Sequence, residues 1–234
     1  MPPVRAARLA LILALAAAPA AADPPRPVPR PVPPPSMLPV APETSLRPAS
    51  RDPDLPRARW EYLQHGELWT RVALSAIHGH GQALLRTVPR DIGDWCPAYP
   101  GDDAEARAAF WAALLSTLAR YESTWNPRAV GGGGLWYGLL QILPQTADFR
   151  DCRATTGEGL QRAAANLNCA VRIMAITVPR DGAIALEEGR WKGVAADWGP
   201  IRTPWMRRDM QRYTRRQPYC RPLASVRPRA RPGD

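Results

Sequence analysis

Apolar and aromatic residues recur at three- and four-residue intervals over much of residues 57–220, a spacing that predicts helices rather than strands. Trp60, Leu63, Trp69, Val72, Leu74 and Ile77 outline an amphipathic helix that starts near Arg59 and ends at Gly79 or Gly81. The clearest helix covers residues 102–124. Asp102 and Glu105 form a capping-box pattern there, Phe110, Leu114, Leu118 and Tyr121 share one face, and Pro127 ends the repeat. Further helices are expected over residues 144–149, 160–178 (stopped by Pro179), 190–197, and 204–215 with Thr203 as cap. No stretch sustains an alternation of β-branched residues, so sheet content should be small and the expected class is mostly α.

The two ends read differently. Arg5 and Arg8 precede a short apolar run over residues 9–18, and small residues with two A-x-A sites follow before Asp23. A bilayer span needs about twenty apolar residues, so residues 1–22 read as a cleaved export signal rather than an anchor. Residues 24–56 hold 13 of the 28 prolines. Proline lacks the N–H that ladders need, so residues 23–56 should form an extended, disordered linker. An Arg/Pro-rich tail over residues 221–234 is likewise expected to be disordered. One folded domain over residues 57–220 remains.

Export changes how the cysteines read. Cys96, Cys152, Cys169 and Cys220 can pair in three ways, and the pairing favoured here is Cys152–Cys169 with Cys96–Cys220. The first would tie a loop to the helix after it, the second the C-terminal end to the start of the core. A zinc site from all four is disfavoured because no C-x-x-C pair exists. The net charge of +10 draws such a chain to polyanions, among them nucleic acid, anionic lipid and bacterial wall. Export argues against nucleic acid, and with Lys192 as the single lysine the arginine excess can equally reflect codon usage.

Among candidate chemical groups, Glu122 lies four residues after Leu118 and eight after Leu114, on the stripe expected to be buried. Burial disfavours the charged carboxylate and raises its pKa, which suits a general acid. The competing reading is a last-turn Glu that pairs with Arg120 or Arg128. The run Gly131 to Gly134 lacks a preceding strand and a following Lys-Ser/Thr, so it reads as a flexible loop beside a cleft rather than a phosphate loop. His65, His78 and His80 have no accompanying carboxylate or cysteine pattern, so no metal is expected.

The string Glu122-Ser123-Thr124-Trp125-Asn126-Pro127-Arg128-Ala129 precedes Gly138-Leu139-Leu140-Gln141-Ile142-Leu143-Pro144-Gln145-Thr146-Ala147. Together they resemble the E-S-x-x-N-P-x-A and G-L-M-Q-I-x-P-x-T-A blocks of the soluble lytic transglycosylase family, whose fold is that of goose-type lysozyme. The likeness spans about residues 108–200. It implies a lysozyme-like helical domain with Glu122 as the single catalytic acid/base, Ser123 and Gln141 as substrate-holding residues, and Leu140 in place of the usual Met. It also implies that the helix bearing Asn166 backs the cleft. Trp125, Trp136 and Trp198 flank the blocks as candidates for stacking on sugars, with a core role as the alternative.

A third block of the family, A-Y-N-A-G-P, is altered here to Ala195-Ala196-Asp197-Trp198-Gly199-Pro200. Ala196 stands where the family has Tyr, so Tyr137 is the candidate to supply the lost hydroxyl. Asp197 reads as a helix-end residue or as a second carboxylate. The resemblance implies cleavage of the β-1,4 bond between N-acetylmuramic acid and N-acetylglucosamine, with a 1,6-anhydro product and no cofactor. The implied partners are peptidoglycan strands in the periplasm or cell envelope, and a cell-envelope assembly complex. A hydrolytic lysozyme, and a wall-binding protein without turnover, are the two alternatives.

Overall fold

The computed structural model describes residues 54–222, so the expected signal segment, the linker to residue 53 and the tail from 223 lie outside the described residues. The helices, in order, are α1 (Gly66–His78), α2 (Gln82–Arg86), α3 (Ile92–Trp95), α4 (Ala104–Ser123), α5 (Pro144–Phe149), α6 (Gly157–Leu160), α7 (Ala163–Asp181), α8 (Val194–Asp197) and α9 (Pro204–Arg215). Two short antiparallel hairpins complete the described chain: β1 (Val130–Gly131) with β2 (Trp136–Tyr137), and β3 (Leu186–Glu187) with β4 (Trp191–Lys192). The mostly helical, lysozyme-like class holds.

α4 is the axis of the domain. The sequence pattern predicts a single buried face, yet every residue from Ala108 to Ala119 is buried. Seven of these twelve are Ala, Ser or Thr, and such small side chains let α1, α2 and α9 pack closely around α4. Ser116 and Thr117, buried there, donate to the carbonyls of Ala113 (2.6 Å) and Leu114 (2.8 Å), so neither hydroxyl is orphaned. The N-cap is Asp103, one residue later than the sequence pattern places it; its Oδ1 accepts from the Ala106 N–H at 2.9 Å. Glu105 reaches His78 (3.3 Å) instead of closing a capping box.

Three expected boundaries move. α1 starts at Gly66, not near Arg59, because residues 58–66 wind through successive turns around the fully buried Trp60. The Trp60 indole donates to Thr70 Oγ1 (2.9 Å), anchoring that turn to the helix. α7 passes Pro179 and ends only at Gly182. A proline in the last turn removes just one ladder bond, which a long packed helix tolerates. The expected helix over residues 190–197 is β4 followed by the single-turn α8, because Gly193 breaks the path between them with a φ of +65°. At α9, Thr203 occupies the cap position but its side chain makes no capping bond.

The cysteines pair as Cys96–Cys220 and Cys152–Cys169. The first fastens the segment after α9 to the end of α3, beside a hydrogen bond from Thr214 to the Trp95 carbonyl (2.8 Å). The second fastens the loop after α5 to α7.

Candidate active site

Glu122 occupies the last turn of α4, and the chain must turn sharply after it. Thr124 and Trp125 take φ values of +52° and +59°, consecutive left-handed residues that are rare outside glycine. Ring packing holds this turn: the Trp125 indole donates to the Ser116 carbonyl (2.8 Å) and meets Tyr62 edge-on. Trp125 is therefore a buttress and does not line the cleft. Ser123 donates to the Leu139 carbonyl (2.9 Å), which ties the end of α4 to the second sequence block.

The loop between β2 and α5 brings Gln141 to the same place. Tyr137 and Ile142 exchange backbone hydrogen bonds (3.1 and 3.0 Å), folding residues 138–141 into a tight loop. Gly138 is required inside it: φ is +78°, and a Cβ would lie 2.1 Å from the Leu160 carbonyl oxygen. Asn166, fully buried on α7, binds this loop three ways. Its Nδ2 donates to the carbonyls of Tyr137 (2.9 Å) and Leu160 (3.0 Å), and its Oδ1 accepts from the Leu140 N–H (2.8 Å). Gln141 takes a φ of +45° and its Nε2 donates to the Gly138 carbonyl (2.9 Å).

The third wall comes from α8 and the turn after it. The Trp198 indole donates to the Leu140 carbonyl (2.9 Å), joining this wall to the Gln141 loop. Arg202 donates to the carbonyls of Ala195 (2.6 Å) and Ala196 (2.8 Å) and braces the turn. The resulting cleft, of about 450 Å³, is lined by Glu122, Gly131, Gly132, Trp136, Gln141, Asp197, Trp198, Gly199, Pro200 and Arg202. A smaller hollow of about 110 Å³ shares Trp136, Gln141, Asp197 and Trp198 and extends toward α5.

Electrostatically, Glu122 stands apart. Burial pushes its pKa from 4.5 up to about 8, and no cation or hydrogen bond among the described residues opposes the shift. The pairing with Arg120 or Arg128 that the sequence allowed does not form: Arg120 lies over the rings of Tyr121 and Trp125, 3.7 Å from Asp209. Asp197 is also raised, first by burial, while Arg150 (3.9 Å) and a hydrogen bond with Thr177 act in the opposite direction. The same cleft therefore holds one neutral carboxyl at neutral pH and a second whose charge a cation supports.

Of the residues singled out from the sequence, Glu122, Gln141, Asp197 and Trp198 line the cleft, and so does Trp136. Three do not. Leu140 is fully buried and contributes backbone bonds only. Ser123 faces a carbonyl rather than the cleft. Tyr137 donates its hydroxyl to the Gly134 carbonyl (2.6 Å), and its ring lies where a Cβ on Gly157 would meet it at 2.5 Å. Tyr137 thus does not replace the hydroxyl missing at Ala196. Arg150 and Arg202 were missed; each is one arginine among many, and only the fold sets them beside Asp197 and the 195–196 turn. No group of three or more His, Cys, Asp or Glu is poised to hold a metal among the described residues.

Residues 101–193 match the family model described as "Transglycosylase SLT domain", a span that holds α4, the first hairpin and α7. Among solved structures, DslA in wild-type form 2 is similar at 27% identity and a TM-score of 0.65, covering 71% of this chain and 98% of that chain. Two glutamate-to-glutamine mutants of DslA match at 27% identity, with TM-scores of 0.66 and 0.65, 71% of this chain covered in each case, and 99% and 98% of theirs. No curated protein sequence matches.

Proposed function

Starting from a transglycosylase SLT domain at residues 101–193, we propose that this chain is an exported lytic transglycosylase that cleaves peptidoglycan with Glu122 as acid and then base. SLT domains act on peptidoglycan outside the cytoplasm, and two disulfides accord with export. The observation that carries the reading is the unpaired Glu122 carboxyl in the cleft, with its pKa pushed up to about 8. At pH 7 a group of that pKa is protonated in about ten molecules of every eleven.

The neutral carboxyl donates its proton to the glycosidic oxygen as the C1–O bond breaks through an oxocarbenium-like transition state. The substrate's N-acetyl group assists at C1. Glu122, now a carboxylate in a site that disfavours its charge, removes the proton from the C6 hydroxyl of the muramic acid. That oxygen closes onto C1, leaving a 1,6-anhydro end and a neutral Glu122. The proton balance returns to its start, and no water is consumed. Gln141 and the exposed Trp136 ring hold the sugar, with the buried Trp198 supporting the wall beneath them, so that the internal hydroxyl reaches C1 before water does.

Hydrolysis on the same scaffold is the second reading, and Asp197 favours it. An Asp in the same cleft, with Arg150 opposing the upward push of burial on its pKa, is placed to activate a water. Mass spectrometry of fragments released from purified sacculi by the full chain separates the two, with Glu122→Gln as the control. Anhydro-muramyl ends from the wild type alone support the transglycosylase. Reducing ends that disappear in Asp197→Asn support the lysozyme, and release of fragments by Glu122→Gln at the wild-type rate overturns the assignment of Glu122.

A further inference from the structure

A concavity larger than the cleft, about 480 Å³, runs along the outer face of α9 and is lined by Arg208, Arg212, Arg215 and Arg216 with Asp94 opposite. A second, about 440 Å³, shares Arg208 and Arg212 and is bounded by Arg120, Tyr121, Trp205 and Asp209. Helical spacing explains the row, since steps of three and four residues carry Trp205, Arg208, Arg212 and Arg215 along one side. Trp205 is 56% exposed, and its ring meets Tyr121 edge-on at 5.6 Å. Five arginines here face two aspartates.

Asp209 does not offset that excess evenly. Burial opposes its charge, but hydrogen bonds from Arg59, Tyr121 and Arg212 hold its pKa well below the usual carboxylate range. Its charge is thus directed at Arg59, Arg212 and Arg120. The side chains of Arg208 and Arg216 make no hydrogen bond or ion pair among the described residues.

The surface is also within reach of the cleft. Residues Pro200 and Arg202 line the cleft, and the chain enters α9 two residues later. Arg120 and Glu122 lie two positions apart on α4, on opposite sides of a helix about 10–12 Å across. An extended peptide of four or five residues spans up to about 13–18 Å. A peptide attached to a sugar seated at Glu122 can therefore pass the shoulder of α4 and enter the arginine row where Trp205, Arg208 and Arg212 lie beside Arg120.

We propose that the Trp205–Arg208–Arg212–Arg216 surface binds the carboxylate-bearing peptide stems of the glycan strand, a role that rests on the peptidoglycan reading above. Guanidinium groups pair with carboxylates through parallel N–H···O bonds. The exposed Trp205 ring covers the apolar part of a stem. Such contacts tighten binding and weaken with salt.

The test is calorimetric binding of the full chain carrying Glu122→Gln, so that no strand is cut during titration. Its probes are soluble glycan strands with stems and the same strands stripped of them. Stems are expected to lower Kd about tenfold, the scale of one or two charged hydrogen bonds. Adding Arg208→Gln or Trp205→Ala should remove that preference while the Kd for stripped strands stays unchanged. Equal Kd values for the two strands, or a preference that survives a folded Arg208→Gln/Arg216→Gln protein, would overturn the proposal. So would loss, in that variant, of binding to phosphatidylglycerol vesicles alone. Absence of fragments in the sacculus assay counts against cleavage instead, so the two failures are told apart.

Discussion

Replacing Glu122 with Gln should stop cleavage and at the same time stabilise the fold in a pH-dependent way. The carboxyl is protonated in the folded cleft up to a pKa of about 8, whereas in the unfolded chain it titrates near its ordinary 4.5. Below both values the group costs nothing. As pH rises above 4.5 the unfolded chain gains by losing the proton while the folded one cannot, so stability falls until pH passes 8 and then levels off. At 1.36 kcal/mol per pKa unit, the change between pH 5 and pH 7 is about 2.5 kcal/mol. For a domain of this size that corresponds to about 5–10 °C in Tm. Gln keeps the shape and removes the titration. The assay is thermal unfolding of wild type and Glu122→Gln at pH 5, 6, 7 and 8, beside fragment release at each pH. The Tm advantage of the variant should grow steadily from pH 5 to 7, and wild-type turnover should decline above pH 8 as the acid form is lost. A Tm difference that stays constant across this range would refute the argument, because it would place the Glu122 carboxyl in water.

Gly132→Ala should impair cleavage more than Gly133→Ala. Both glycines have positive φ, but a Cβ at Gly132 would lie 2.1 Å from the Trp136 ring while that at Gly133 meets nothing; comparing KM for the two variants isolates the displaced ring from backbone strain. Asn166→Ala takes away the partner of the Leu140 N–H and of the Leu160 carbonyl, while the Tyr137 carbonyl keeps its bond from the Ile142 N–H. It should cost about 3 kcal/mol by chemical denaturation, with kcat falling as the Gln141 loop loosens. Removing Cys96–Cys220, which closes a separation of 124 residues, should lower stability by about 1.8 kcal/mol more than removing Cys152–Cys169, which closes 17, as denaturant titration of the paired Cys→Ser variants would show.

The sequence by itself determined the helical class, the long central helix and the candidate acid. Those rest on local information: apolar spacing, a cap within one residue of its place, and two short motifs around Glu122 and Gln141. α5 also begins and ends where its proline and its apolar pattern place it. Boundaries that depend on partners were not legible. Trp60 looks like a helical residue until its burial against Thr70 is seen, and Pro179 looks like a stop until its place in the final turn of α7 is known.

The candidate site divides in the same way. That Glu122 would be buried followed from its distance to Leu114 and Leu118, since periodicity fixes a side chain's direction on a helix. What surrounds it comes from segments far apart in the chain, and no local pattern encodes their meeting. Tyr137 could not be seen to turn its hydroxyl toward Gly134, nor Ser123 toward Leu139, because hydrogen-bond partners are chosen by the folded backbone. Arg150 beside Asp197, Asn166 beneath the Gln141 loop and the arginine row of α9 beside α4 were likewise set by tertiary packing. Sequence chose the chemical groups, and packing decided which of them share a solvent-poor cleft, where burial gives a carboxyl its proton at neutral pH.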